Sequence, residues 1–388
     1  MLQLPATADV LVIGGGVIGL TIARALALQG VRDVLLVERA RLGAEASYAA
    51  AGMLAPQAEA DDADDLFNLC CQSRDMYPTF AAALREETGI DSELDRTGTL
   101  YLAFTEHDQR EIEHRYDWQA RAGLTVQKLN PIDARTLEPC ISESVRGALK
   151  FPNDIQIENR RLLSALIAAN EKLGVQLMTG TTVESIRINR GRIEGAETSR
   201  GFVSTGKIVV SGGAWSSFIK VTDAASPNPR IEPVKGQMVC FDATGSSPSI
   251  SRHVIYSPRG YLVPRRDGRI LAGSTTEQAG FDKEVTASGV HSILANALEI
   301  SPRISDLPLI GVWAGLRPRA QDSLPVLGPC AEIRGLVFAT GHYRNGILLA
   351  PITGELIAGA IVDNVVSPEL SAFSPDRFSI VGMIGETV

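Results

Sequence analysis

The chain has 388 residues, long enough for two or three domains at roughly 100–200 residues each. Hydrophobic residues make up 45% and charged residues 21%, the balance of an ordinary globular protein, which excludes disordered, collagen-like and coiled-coil classes. With 37 Lys and Arg against 45 Asp and Glu, the formal net charge is -8; no overall positive field draws nucleic acid, and none is expected as a partner.

In chain order, the strongest signal comes first. Residues 9–13 read as a short buried strand, 20–29 as a helix ending at Gly30, and 34–37 as a second buried strand that stops at an acid. Between strand and helix, Gly14, Gly16 and Gly19 stand at G-x-G-x-x-G spacing. One serves a tight turn, one lets the backbone approach a pyrophosphate, and one lets the helix pack on the strand. With Val17 and Ile18 they form a helix N-terminus whose N–H groups and positive dipole end suit phosphates. Glu38 follows Gly19 by nineteen residues, where a carboxylate accepts hydrogen bonds from both ribose hydroxyls of an adenosine; Arg39 adjoins it. An acid there disfavours a 2′-phosphate, which leaves FAD and NAD. The small-residue stretch from 44 to 52 carries Ser47, Ala51 and Gly52 and leads into Met53, the sort of backbone that runs closely along an extended cofactor.

Residues 59–65 hold Glu59, Asp61, Asp62, Asp64 and Asp65 and are expected to form a solvated loop, since like charges this dense repel, with a mobile flap near the site as the alternative. A helix is predicted over 66–89, a strand over 99–104, and then a polar helix with His107 and His114 on its surface; no third ligand joins them, and no metal is expected. After a helix over 159–173 come short alternating strands that include Val183, a buried strand at 207–210 and a small-residue turn at Gly212-Gly213. Residues 231–276 read as an antiparallel meander with turns at Arg259-Gly260 and Asp267-Gly268. A strand over 336–340 stops at Gly341, and the next segment starts a helix towards Pro351. The apolar run from 350 to 366 contains Glu355 and Asp363, too much charge for a membrane span. No secretion signal is read at the start, and the five cysteines have no metal-like or disulfide-like spacing, so reduced thiols in a cytoplasmic protein are expected.

Four segments, VIGGGVIG at 12–19, SYAAAGMLAP at 47–56, WAGLRP at 313–318 and GHYRNGILLAP at 341–351, resemble those of the D-amino acid oxidase-type flavoproteins, the glycine oxidases of thiamine biosynthesis among them. Their order is kept, so the resemblance spans nearly the whole chain. It implies noncovalent FAD, since no flavin-linking Cys follows Arg317 and Cys330 reads as a core thiol. It also implies that Arg317 clamps the substrate carboxylate, that Tyr261 is a second donor to it, and that Arg344 lies near substrate and flavin. A guanidinium suits the first role, because its planar fork matches a carboxylate and keeps its charge. His342, Tyr343, Asn345, Gly346, Ile347 and Leu348 belong with Arg344 as cofactor-binding positions, as do Gly213 and Val183, whose backbone would meet the adenine.

The implied fold is α/β and discontinuous: a Rossmann-like FAD-binding domain over 1–85, 150–225 and 310–388, and an antiparallel-sheet substrate domain over 86–149 and 226–309. The implied reaction takes a small amino acid and molecular oxygen to an imino acid and hydrogen peroxide in a homo-oligomeric enzyme. Thr276 is read as a variable pocket position, and the direction of Arg259 is unassigned. Three other readings stay open: a broader D-amino acid or sarcosine oxidase, a dehydrogenase passing electrons to another acceptor, and a flavoprotein acting as a partner rather than an oxidase.

Overall fold

A computed structural model describes residues 3–221, 229–246 and 249–378. Six strands form the first sheet, in the order Val326–Pro329, Leu336–Thr340, Ile208–Val210, Val10–Ile13, Val34–Glu38 and Gln176–Thr179. All of its pairings are parallel except the one between Val326–Pro329 and Leu336–Thr340. Alternation along these short apolar strands assigns their two faces. Val10, Val12, Val34 and Leu36 pack in a core with helices Val17–Leu28, Asn159–Lys172 and Ala350–Val362. Leu11, Ile13, Leu35 and Val37 pack on the opposite side with Ile186, Ile193, Ala196 and Val203. Those residues come from a four-stranded sheet that includes Val183–Asn189, Arg192–Thr198 and Gly201–Ser204.

The second large sheet has eight strands, in the order Leu309–Ala320, Ile231–Asp242, Arg269–Gly273, Gly260–Pro264, Val254–Ser257, Thr99–Ala103, Gly147–Phe151 and Gln127–Leu129. Three of them, 254–257, 260–264 and 269–273, form the expected meander, with Ile231–Asp242 on its far side. Leu309–Ala320 pairs with Ile231–Asp242 along nearly its whole length, a strand that the sequence reading left unassigned. Alternation again sorts the faces. Val239, Phe241, Leu262 and Ile270 pack with helix Ala287–Ile300, while Met238, Cys240, Tyr261, Val263 and Leu271 form a cluster with Ala51. The strand that carries Arg317 therefore belongs to the same sheet as the meander, and so does Gly147–Phe151.

The acidic segment is an exposed loop between two helical elements, with Glu59 and Asp65 at its ends. Pro56–Glu59 makes a single helical turn, and Asp64 caps helix Asp65–Thr88 by accepting from the Phe67 N–H at 2.7 Å. Asp61, Asp62, Asp64 and Asp65 are exposed, as are His107 and His114. Among the described residues no helix is long and apolar enough to cross a membrane, and no cluster of His, Cys, Asp or Glu could hold a metal.

Candidate active site

Where the carboxyl ends of the parallel strands meet the cluster side of the eight-stranded sheet lies a cavity of about 520 Å³, within the roughly 300–1,000 Å³ usual for ligand sites. The glycine turn forms its floor. Gly14 has φ +109°, and its N–H donates to the Val37 carbonyl at 2.9 Å. A side chain at Gly19 would overlap the Gly14 carbonyl, so Gly19 is what lets the helix sit on the turn. A methyl at Gly16 would meet only the Ser47 hydroxyl, at 3.3 Å. That hydroxyl in turn accepts from the Val17 N–H at 3.0 Å, which ties the small-residue stretch to the start of the helix.

Glu38 ends its strand at the cavity wall, with its carboxylate accepting from the N–H groups of Gly15 at 2.8 Å and Ala40 at 2.9 Å. Arg39, beside it, stacks its guanidinium 3.8 Å from the Trp215 ring centre. Val183, Gly213, Trp215 and Phe218 line the same end. Across its mouth, Lys283 reaches Glu45 at 2.9 Å, and Phe281 packs on both Trp215 and Phe218.

At the other end the lining includes Ala51, Gly52, Met53, Tyr261, Arg317, Arg344 and Glu59. The Arg317 guanidinium donates to the Ser274 hydroxyl at 2.7 Å and the Thr275 carbonyl at 3.2 Å. It also lies against Gly236 of the paired strand, where any side chain would overlap it. The Tyr261 hydroxyl donates to the Met238 sulfur at 3.1 Å, a weak acceptor. Residues 342–348 follow strand Leu336–Thr340 as turns rather than as the start of a helix, which begins at Ala350. Tyr343 adopts φ +48°, uncommon for a bulky residue, and its N–H donates to the Pro318 carbonyl at 2.8 Å. That bond fixes the segment against the strand that carries Arg317. His342 is buried, its Nε2 lies 3.1 Å from the Thr353 hydroxyl, and desolvation lowers its pKa to about 3, so its ring is neutral.

Arg344 donates to the Tyr256 hydroxyl at 3.3 Å, and its Nε lies 3.9 Å from Glu59. Burial pushes the Glu59 carboxyl up, against the opposing pull of Arg344, Arg317 and Arg115. Glu59 is aimed there by its helical turn, where the buried Asp154 carboxylate accepts from the N–H groups of Gln57 at 3.3 Å and Ala58 at 2.8 Å. Arg115 also holds the Ala60 carbonyl.

Of the residues singled out from the sequence, Gly14, Gly16, Val17, Ile18, Glu38, Arg39, Ser47, Ala51, Gly52, Met53, Val183, Gly213, Tyr261, Arg317 and 342–348 all line this one cavity; Gly19 lies beneath it. Arg259 turns away, to Asp108 and Glu299. Thr276 is not among the lining residues, while Ser274 is. Glu59, Gly236 and Met238 were missed. Glu59 was hidden in a run of exposed acids, and the other two gain meaning only from the pairing of their strand with the one that carries Arg317.

The residues fit a flavin dinucleotide. A glycine floor approachable by phosphates, a carboxylate at one end and two cations at the other form a single continuous groove. None of the five cysteines lines it, and all five are free thiols.

Residues 9–360 match the family described as FAD dependent oxidoreductase. Glycine oxidase of Geobacillus kaustophilus is 36% identical over 379 residues, covering 97% of this chain and 98% of that protein. The crystal structure of glycine oxidase from Geobacillus kaustophilus superposes with a TM-score of 0.90 at 35% identity, over 96% of this chain and 99% of that one. The bifunctional protein ThiO/ThiG of Synechocystis is 38% identical over 376 residues, which cover 96% of this chain; the chain thus spans about half, 54%, of that relative's length.

Proposed function

This chain belongs to the family of FAD-dependent oxidoreductases, and on that premise we propose that it is a glycine oxidase, acting on glycine and other small amines or D-amino acids in thiamine thiazole biosynthesis. The observation that carries the reading is one cavity reaching from a dinucleotide-type glycine turn to a fixed, forked guanidinium at Arg317.

Arg317 and Tyr261 are the residues assigned to the substrate carboxylate, and Arg344 lies near substrate and flavin. Arg317 receives the carboxylate on its fork, its position set by Ser274, the Thr275 carbonyl and the bare Gly236 backbone. Tyr261 adds a second donor, because a carboxylate oxygen is a far better acceptor than the Met238 sulfur it now meets. Glu38 and the turn at Gly14 and Gly16 would hold the adenosine and pyrophosphate parts of FAD, with Arg39, Val183 and Gly213 at the same end. Ser47, Ala51, Gly52, Met53 and 342–348 line the remainder. FAD held there would supply a two-electron acceptor for the α-carbon hydride and the means of passing those electrons to molecular oxygen as hydrogen peroxide. The neutral α-amine lone pair drives the hydride out, and water then converts the imino acid to a keto acid and ammonia. The protein therefore acts mainly by orientation, and a catalytic triad or carboxylate pair has no part in this scheme.

The absence of cysteine from the lining supports noncovalent FAD, and five free thiols suit a reducing cytoplasm. The proposed layout is two interleaved domains built on the two large sheets, but sheet membership departs from the boundaries given above at two places: Gly147–Phe151 and Leu309–Ala320 belong to the sheet of the substrate domain. A homo-oligomer is supported by Leu309, Ile310 and Val312, exposed apolar side chains on a strand at a sheet edge.

Purified protein is expected to be yellow and to release peroxide with glycine, sarcosine and small D-amino acids. A colourless protein that binds no FAD would overturn the reading. Reduction by glycine without air followed by slow reoxidation in air would make it a dehydrogenase. Arg317→Ala should raise KM for glycine about a hundredfold or more; an unchanged KM would remove Arg317 from the site.

A further inference from the structure

Resting on the amino acid reading above, the charges at the substrate end can be matched against what a substrate brings. Two cations, Arg317 and Arg344, line that end, and one carboxylate, Glu59, stands beside them. Glu59 faces Arg344 at 3.9 Å, while Arg317 is held by the neutral Ser274 hydroxyl and Thr275 carbonyl. Arg344 thus has its counter-charge built into the protein, and Arg317 has none among its hydrogen-bond partners. A substrate carboxylate at Arg317 completes the pairing. A second carboxylate would have to displace Glu59 from Arg344 or sit beside another anion without a counter-charge of its own, and like-charge repulsion opposes that even though Arg344 is partly exposed.

The backbone that carries Glu59 is held in place. The helical turn Pro56–Glu59 that carries it is pinned by Asp154 at the Gln57 and Ala58 N–H groups, and by Arg115 at the Gln57 and Ala60 carbonyls. Arg344 is fixed from the other side by the Tyr256 hydroxyl, whose ring stacks on Tyr261 with centres 6.3 Å apart. We propose that Glu59 is a specificity-determining residue: by occupying Arg344, it restricts the site to substrates with a single negative charge and excludes dicarboxylic amino acids and N-carboxyalkyl glycines.

The test needs no turnover. Methoxyacetate and oxydiacetate are unreactive ether analogues that carry one and two carboxylates, and the monoamide of oxydiacetate matches the latter in size without the second charge. Each is titrated into the FAD-loaded protein, with Kd read from the change in the flavin visible spectrum. In the wild type, the monoamide should bind at least tenfold more tightly than oxydiacetate. In Glu59→Gln that preference should fall by about tenfold or reverse, while Glu59→Asp, which keeps the charge, should retain most of it. Arg344→Gln provides an independent check should Glu59→Gln fail to fold: with Glu59 left unpaired, the discrimination against oxydiacetate should sharpen. Equal preferences in the wild type and Glu59→Gln would overturn the assignment, and so would Arg344→Gln behaving like the wild type. If none of the three ligands binds the wild type, the amino acid reading itself falls, and this assignment with it.

Discussion

A methyl group at position 236 would overlap the Arg317 guanidinium, which is the flexible end of a long side chain. Gly236→Ala should therefore fold normally while pushing that guanidinium off its Ser274 and Thr275 partners. The expected result is a KM for glycine raised at least tenfold with Tm nearly unchanged, which steady-state kinetics and thermal melting would check together. His342 gives a pH dependence with a definite sign. Its pKa is lowered by burial to about 3 in the folded protein, against about 6.5 when unfolded. The unfolded chain thus takes up the proton first as pH falls, so the stability contribution is complete above about pH 6.5 and is lost progressively towards pH 3. Between pH 7 and pH 5 the loss from this one side chain is about 2 kcal/mol. His342→Gln should remove it, and denaturant melts at the two pH values would show the variant's stability changing less than the wild type's. These residues differ in how openly the sequence announces them. The glycines of the first turn stand in a motif whose residue types and spacing already point to a dinucleotide, and Arg317 stands in one whose proposed role comes from its resemblance to the family. Gly236 stands in none, because its role is to lack a side chain opposite a residue on another strand.

Among the elements, the turn Pro56–Glu59 shows how local reading fails. Taken alone, 59–65 is a string of like charges that should repel into solvent, and Asp61 to Asp65 do remain exposed where described. Glu59 goes the other way because Asp154, distant in sequence, accepts the N–H groups that such a short turn leaves unpaired. Burial pushes the Asp154 carboxyl up to about 7, and Arg74 sits 3.5 Å away. Asp154→Ala would leave two backbone donors without their acceptor and take one partner from Arg74, which keeps Asp75 at 2.9 Å, and should cost about 2 kcal/mol by denaturant unfolding. Because the same change releases Glu59, it should also weaken the discrimination between oxydiacetate and its monoamide. The strands of the parallel sheet, by contrast, were plain in the sequence: strand Val34–Glu38 is apolar up to its closing acid, as burial on both faces requires. The long strand Leu309–Ala320 was not, since its mixed, half-exposed residues carry no clear alternation and its register comes from its partner.

For the molecule as a whole, the cavity is walled by both large sheets, so a ligand in it bridges parts of the chain hundreds of residues apart. FAD requires that whole assembly and should bind the folded protein alone. Stripping it is expected to lower stability by roughly 3 kcal/mol relative to protein with free FAD at a hundred times its Kd. Melting curves of stripped and reloaded protein would measure this, and an unchanged Tm would mean that the cavity does not hold the cofactor in solution. The sequence by itself determined the strands of the parallel sheet around the glycine turn and its acid, because each is written in contiguous residues whose spacing is set by helix and strand geometry, while the clamp role proposed for Arg317 came from the resemblance of its motif. Only the tertiary structure decided that Glu59 leaves solvent to face Arg344, that Arg317 rests on Gly236, and that Arg259 turns away to Asp108 and Glu299. Those depend on which strands lie side by side and which buried donors need an acceptor, and neither is expressed in the local order of residues.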